Sequence, residues 1–143
     1  MFRFRRVNID GKSITETYAA GEEVLPGTPV KLVSGEFMNA TDTEGRLYIV
    51  NPAYHEGKGI GDAIAEGETV VADYAEQGRE FAVLVPAGTY TKDAGITIGE
   101  DGFDLASPAS GEGEDAVPAD PVFAFCQENV TLEEADFIRV RIA

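Results

Sequence analysis

No stretch of this chain sustains the 3.6-residue periodicity of an amphipathic helix, and that absence most constrains what it can fold into. Short apolar and β-branched runs instead alternate with turn formers. Residues 67–102 show the pattern most clearly. They predict strands over 69–74, 79–85 and 96–98, with turns at Gln77-Gly78 and Pro86-Ala87-Gly88. The centre of that stretch, residues 81–85 (FAVLV), is apolar throughout and carries no reactive group. Function is therefore expected in surfaces and assembly.

The same reading extends along the chain. Residues 7–9 and 13–18 flank Asp10-Gly11, a hairpin signal, and predict a first hairpin. Residues 28–33 and 36–40 are joined by Ser34-Gly35, again strand, tight turn, strand. Residues 46–50, 122–127 and 137–142 read as further strands. In the last, Ile138, Val140 and Ile142 lie on one face and Phe137, Arg139 and Arg141 on the other. One helical turn is expected at 62–66, capped by Asp62 and ended by Gly67. A second is expected at 131–134, where Thr131 and Glu134 form a capping-box pattern. About ten short strands define an all-β fold, a compact barrel or sandwich. The organisation is an N-terminal arm with first hairpin strands over 1–17, then a single all-β domain over 18–143. At 143 residues the chain is long enough to bury on the order of two thirds of its unfolded surface in one core.

Charge is distributed unevenly. The formal net charge is -15. Residues 1–92 hold 14 acidic and 9 basic side chains, residues 93–138 hold 12 acidic and none basic, and Arg139 and Arg141 follow. Such a field repels polyanions, so no direct nucleic-acid partner is expected. No run reaches transmembrane length and the start lacks a signal-peptide pattern, so the expectation is a soluble protein made in the cytoplasm, with no membrane partner. Residues 104–121 (DLASPASGEGEDAVPADP) combine low hydrophobicity with like charge and predict a mobile acidic surface loop.

Catalytic and metal-binding parts are scarce. His55 is the sole histidine and lies in a Gly-rich loop, and no serine has a nucleophile-elbow context. Cys126, the sole cysteine, is expected to pack in the core, and a thiolate would want basic neighbours. The spacing Gly57-x-Gly59-x-Gly61 lacks the remaining signs of a phosphate loop, so backbone bends are the better reading. No catalytic residue, metal site or cofactor is assigned, and the chain is not expected to be an enzyme. A carboxylate-based hydrolase stays open as a lesser alternative, since 26 carboxylates cannot be excluded by spacing. A β-rich receptor- or glycan-binding module is a second alternative, although the chain has no tryptophan for a sugar-stacking platform.

Residues 1–6 (MFRFRR) stand apart, with three of the eleven basic side chains beside two phenylalanines. They read either as a first strand with Phe2 and Phe4 facing the core, or as a docking arm. In the second reading Phe2 and Phe4 anchor while Arg3, Arg5 and Arg6 meet an acidic partner or the chain's own acidic face. These five residues are the candidate partner-binding site. Arg3, Arg5 and Arg6 are expected to face the partner and residues 93–138 to face outward. Deleting 1–6 is expected to abolish partner binding and leave the fold intact.

Residues 20–37 (AGEEVLPGTPVKLVSGEF), 67–74 (GETVVADY), 78–89 (GREFAVLVPAGT) and 136–143 (DFIRVRIA) together resemble the small capsid decoration, or cement, proteins of tailed bacteriophages. The resemblance spans most of residues 18–143, and the long acidic loop departs from the shortest relatives. It implies a β-tulip-like domain on the outer surface of a virion, bound to the major capsid protein and stabilising the shell, with a homo-oligomer, often a trimer, at three-fold positions. It also implies that a terminal arm orders on the capsid, for which residues 1–6 are the candidate here.

Overall fold

The computed structural model describes residues 1–143. The fold is all-β. Thirteen strands follow in order: β1 (Asn8–Asp10), β2 (Thr15–Ala20), β3 (Pro29–Val33), β4 (Glu36–Asn39), β5 (Tyr48–Val50), β6 (Thr69–Tyr74), β7 (Glu80–Val85), β8 (Gly88–Tyr90), β9 (Gly95–Gly99), β10 (Gly102–Leu105), β11 (Ala124–Cys126), β12 (Val130–Leu132) and β13 (Asp136–Ile142). The helical content is two short 3-10 turns, Tyr54–Glu56 and Gly113–Asp115.

The strands divide into a closed barrel, β2-β4-β3-β5-β6, and a six-stranded sheet, β1-β7-β13-β11-β9-β10, with β8 and β12 forming a separate ribbon. All pairings are antiparallel except β2 with β4. The β3–β4 hairpin turns through Ser34 and Gly35, both at positive φ, as a two-residue turn matched to strand twist requires.

Apolar side chains gather in two clusters. Ten buried residues, among them Val30, Phe37, Val50, Ile64 and Val70, fill the barrel, and 21 others pack around the six-stranded sheet. Strand β5 is the wall between them. Tyr48 and Val50 point into the barrel while Ile49 points into the larger cluster, by the alternation of successive side chains. Two-sided burial also explains why residues 81–85 read as a continuous apolar run. Phe81, Val83 and Val85 face one way, Ala82 and Leu84 the other, and four of the five are fully buried. On the edge of β7 away from β13, Leu84 donates its N–H to the Gly27 carbonyl at 3.0 Å, which docks a barrel loop against the sheet. Gly27 has φ 76°, and a Cβ there would lie 2.5 Å from the Phe137 ring, so only glycine brings the barrel this close to the sheet.

Several local expectations gave way to longer-range pairing. Strands form at 69–74, 80–85 and 95–99, but β6 belongs to the barrel while β7 and β9 belong to the sheet. Residues 7–9 and 13–18 do not form a hairpin. β1 pairs with β7 and β2 with β6 and β4, because the Arg79 side chain packs against Gly11 and the chain leaves the sheet for the barrel there. The 62–66 segment is extended instead of helical, since Ile64 fills the barrel through mutual backbone bonds with Val24. The Asp62 carboxylate caps no helix and instead accepts from the Gly59 N–H, three residues before it, at 2.7 Å. Residues 130–132 form β12 in place of a helical turn, with Leu132 buried and the Thr131 and Thr89 hydroxyls 3.1 Å apart across the ribbon. Residues 107–122 are exposed throughout and form an internally bonded finger, closed by paired backbone bonds between Ser110 and Val117.

Where the chain passes from barrel to sheet, between β6 and β7, it buries an ion pair. Arg79 Nη2 lies 3.3 Å from Asp73 Oδ2, with both side chains almost fully inaccessible. Asp73 also accepts from Thr15 Oγ1 at 2.7 Å, and Arg79 donates to the Tyr74 carbonyl at 3.2 Å and to Asn8. The guanidinium stacks over Phe81 at 4.4 Å, while Arg79 Nε has no partner. Removing one member strands the other's charge in the interior. Arg79→Ala is therefore expected to cost about 3–5 kcal/mol in denaturant unfolding, and a loss under about 1 kcal/mol would contradict this placement.

Candidate partner-binding face

Residues 1–6 join no strand. Their placement follows from side chains. Phe2 meets Phe137 edge-on, with centroids 5.3 Å apart at 90°. Its ring rests on Gly61, where a Cβ would come within 2.5 Å. Leu25, Pro26, Ile60 and Leu84 complete this apolar groove, which keeps about 160 Å³ of open space beside the ring. Phe4 packs against the larger core cluster and lies 5.5 Å from the Arg3 guanidinium.

Arg3 is held by the chain itself. It pairs with Glu128, donates Nη1 to the Phe137 carbonyl at 2.9 Å, and donates its backbone N–H to Asp136 at 3.2 Å. Hydrogen bonding to Glu128 raises the Arg3 pKa above its ordinary value, with burial opposing. For Glu128, burial alone would raise the pKa. The Arg3 hydrogen bond, the Arg139 backbone N–H at 2.7 Å and the charges of both arginines outweigh it and hold the carboxyl below its usual range. At the far end of the arm, Tyr54 Oη donates to the Arg5 carbonyl at 2.8 Å. Burial pushes the Tyr54 hydroxyl pKa up, and the nearby Arg6 charge pulls the other way.

The five candidate residues thus divide. Phe2, Arg3 and Phe4 face their own chain, making the arm a strap from the barrel loops at Gly61 and Tyr54 to the sheet at Phe137. Arg5 and Arg6 are exposed and pair with no carboxylate. Arg6 lines a cleft of about 350 Å³ with Asn51, Tyr54 and His55, floored by the Thr15 and Asp73 side chains. Arg3 does not point away from the acidic segment, because Glu128 and Asp136 belong to that segment. The two C-terminal arginines share one partner, since both Arg139 and Arg141 pair with the single buried carboxylate of Glu80. Cys126 is buried, and burial raises its thiol pKa.

Sequence reasoning missed Tyr54, Asn51 and Glu128, which carry no local signal of meeting the arm. Gly61 did carry one. The glycine spacing at 57, 59 and 61 reflects a left-handed turn at Gly57 and the ring seat at Gly61.

No protein-family model matches the chain, and no curated protein matches it. Among solved structures it is similar to the head fiber gp8.5 N base of bacteriophage phi29. The two share the fold at a TM-score of 0.55 and 12% sequence identity, over 92% of this chain and 95% of that one.

Glu128 has a lowered folded-state pKa, so its contribution to holding the arm is complete above its ordinary value of 4.5 and is lost as pH falls through the lowered value. The Phe2 and Arg3 resonances are expected to move to free-arm positions on acidification below that value. Glu128→Gln should produce the same spectrum at pH 7, and an arm that stays bound in both cases contradicts the strap.

Proposed function

We propose that this chain is a non-enzymatic structural protein of a tailed-phage head, which binds the outer surface of the shell and cements neighbouring major capsid protein subunits. The observation that carries this reading is the shared fold, over nearly the whole of both chains, with a protein described as the base of a phage head fiber. The distribution of unmatched charge supports it. Arg5 and Arg6, adjacent on one arm, lack intramolecular ion-pair partners, as Lys12 and Arg46 also do, and the arm lies across a body with two buried cores.

Cementing requires copies of a stiff domain with a complementary underside, and a lattice of such contacts adds avidity to modest interfaces. In this reading the domain acts as a homo-oligomer, with a trimer matching three-fold positions of a shell. Arg5 and Arg6 meet an acidic surface, while Phe2, Arg3 and Phe4 hold the arm in position to present them. Deleting residues 1–6 would also strip Phe2 and Arg3 from the seam, so charge substitution is the cleaner probe. Arg5→Glu with Arg6→Glu is expected to lower occupancy on purified shells by about tenfold or more at low salt, with an unchanged melting curve. Raising salt should weaken the wild type towards the variant. Equal occupancy of the two proteins at all salt concentrations contradicts the assignment.

A further inference from the structure

The face around the arm has two recesses of different chemistry, separated by a fixed length of chain. At one end, the groove beside Phe2 is apolar and incompletely filled, with Phe2 41% and Leu25 38% exposed. At the other, the cleft beside Arg6 is polar. Its floor carboxylate, Asp73, is already neutralised by Arg79. Arg6 has no carboxylate partner, and the Asn51 side-chain amide bonds to no protein group. The cleft therefore offers uncompensated positive charge and a free amide, on a protein whose net charge is -15. Phe2 and Arg6 are four residues apart, a span of at most about 14 Å. Between them, the backbone forms only two bonds to protein groups, through the Arg3 N–H and the Arg5 carbonyl. The other amides and carbonyls of the arm are unpaired, the condition in which an extended segment can lie alongside.

We propose that this face binds an extended acidic segment of its partner through two anchors, with one carboxylate in the cleft against Arg6 and one apolar side chain in the groove beside Phe2, about four residues apart. The inference rests on the shell-binding reading and adds to it the chemistry of the segment recognised. Charge complementarity selects the occupant: a guanidinium with no intramolecular partner prefers a carboxylate to a neutral amide, and the groove has room for an aliphatic side chain. The small size of each recess places affinity in the pair of anchors and their spacing.

The test uses the full chain and fluorescein-labelled peptides Leu-Ser-Thr-Ser-Glu, Leu-Ser-Thr-Ser-Gln and Leu-Ser-Glu, read by fluorescence anisotropy. The first peptide is expected to bind about tenfold more tightly than either of the others. Arg6→Gln should remove the preference for Glu over Gln, and Phe2→Ala should weaken both five-residue peptides alike. Arg6 makes no intramolecular ion pair, so Arg6→Gln should melt with the wild type.

Equal binding of the Glu and Gln peptides overturns the proposal, as does a preference that survives in Arg6→Gln or no binding at millimolar peptide. Self-association that Arg6→Gln abolishes overturns it in favour of a second copy of this chain. Shell loading by wild type without any peptide preference removes the two-anchor inference and leaves the shell reading standing. Peptide preference without shell loading does the reverse.

Discussion

The buried pair of Asp73 and Arg79 sits where the chain crosses from the barrel to the six-stranded sheet, and the relation between the two bodies depends on it. Asp73 ends the barrel side, fixed by Thr15, and Arg79 opens the sheet side, fixed by Asn8 and stacked on Phe81. A buried ion pair contributes little net stability compared with well-packed apolar groups, but breaking one is costly. It ties the end of the barrel strand β6 to the start of β7 and, through Asn8, to β1. Gly27 lets the barrel close on the sheet without a clash, and β5 serves as a wall with one core on either side.

The arm depends on the same seam. Phe2 lies between Gly61 on the barrel side and Phe137 on the sheet, while Arg3 is tied to Glu128 and Asp136. Docking three of the arm's side chains internally fixes the backbone from which Arg5 and Arg6 project. Of the other cations, Lys12 and Arg46 are also unpaired, and Arg139 and Arg141 share Glu80. The exposed finger at 107–122 carries Glu112, Glu114 and Asp115, none of which is in an ion pair. The arm and the finger thus carry unpaired charge of opposite sign.

Local structure was legible in the residues to the extent that it is decided locally. Alternating β-branched runs mark most strands, and Ser34-Gly35 marks its hairpin, because side-chain period and turn conformation act over a few residues. Pairing was not legible. Gly11 takes a positive φ, yet no hairpin forms: β1 finds β7 across 70 positions of sequence, a choice set by Arg79 and the larger core. The capping signals at 62–66 and 131–134 lost to burial of Ile64 and Leu132, since filling a core outweighs a single cap. At the candidate site, the composition of residues 1–6 singled out the segment as a candidate. The division into three inward and two free residues required Glu128, Phe137 and Tyr54, which are remote in sequence.

Electron cryomicroscopy of the native particle tests the central claim most directly, because the orientation of the domain on its support decides which charged segment is the binding side. The account predicts density for the domain on the outside of the head, with Arg5 and Arg6 against the shell and the 107–122 finger in solvent. A domain seated through the finger with the arm facing outward, or heads that lack the domain, would contradict it.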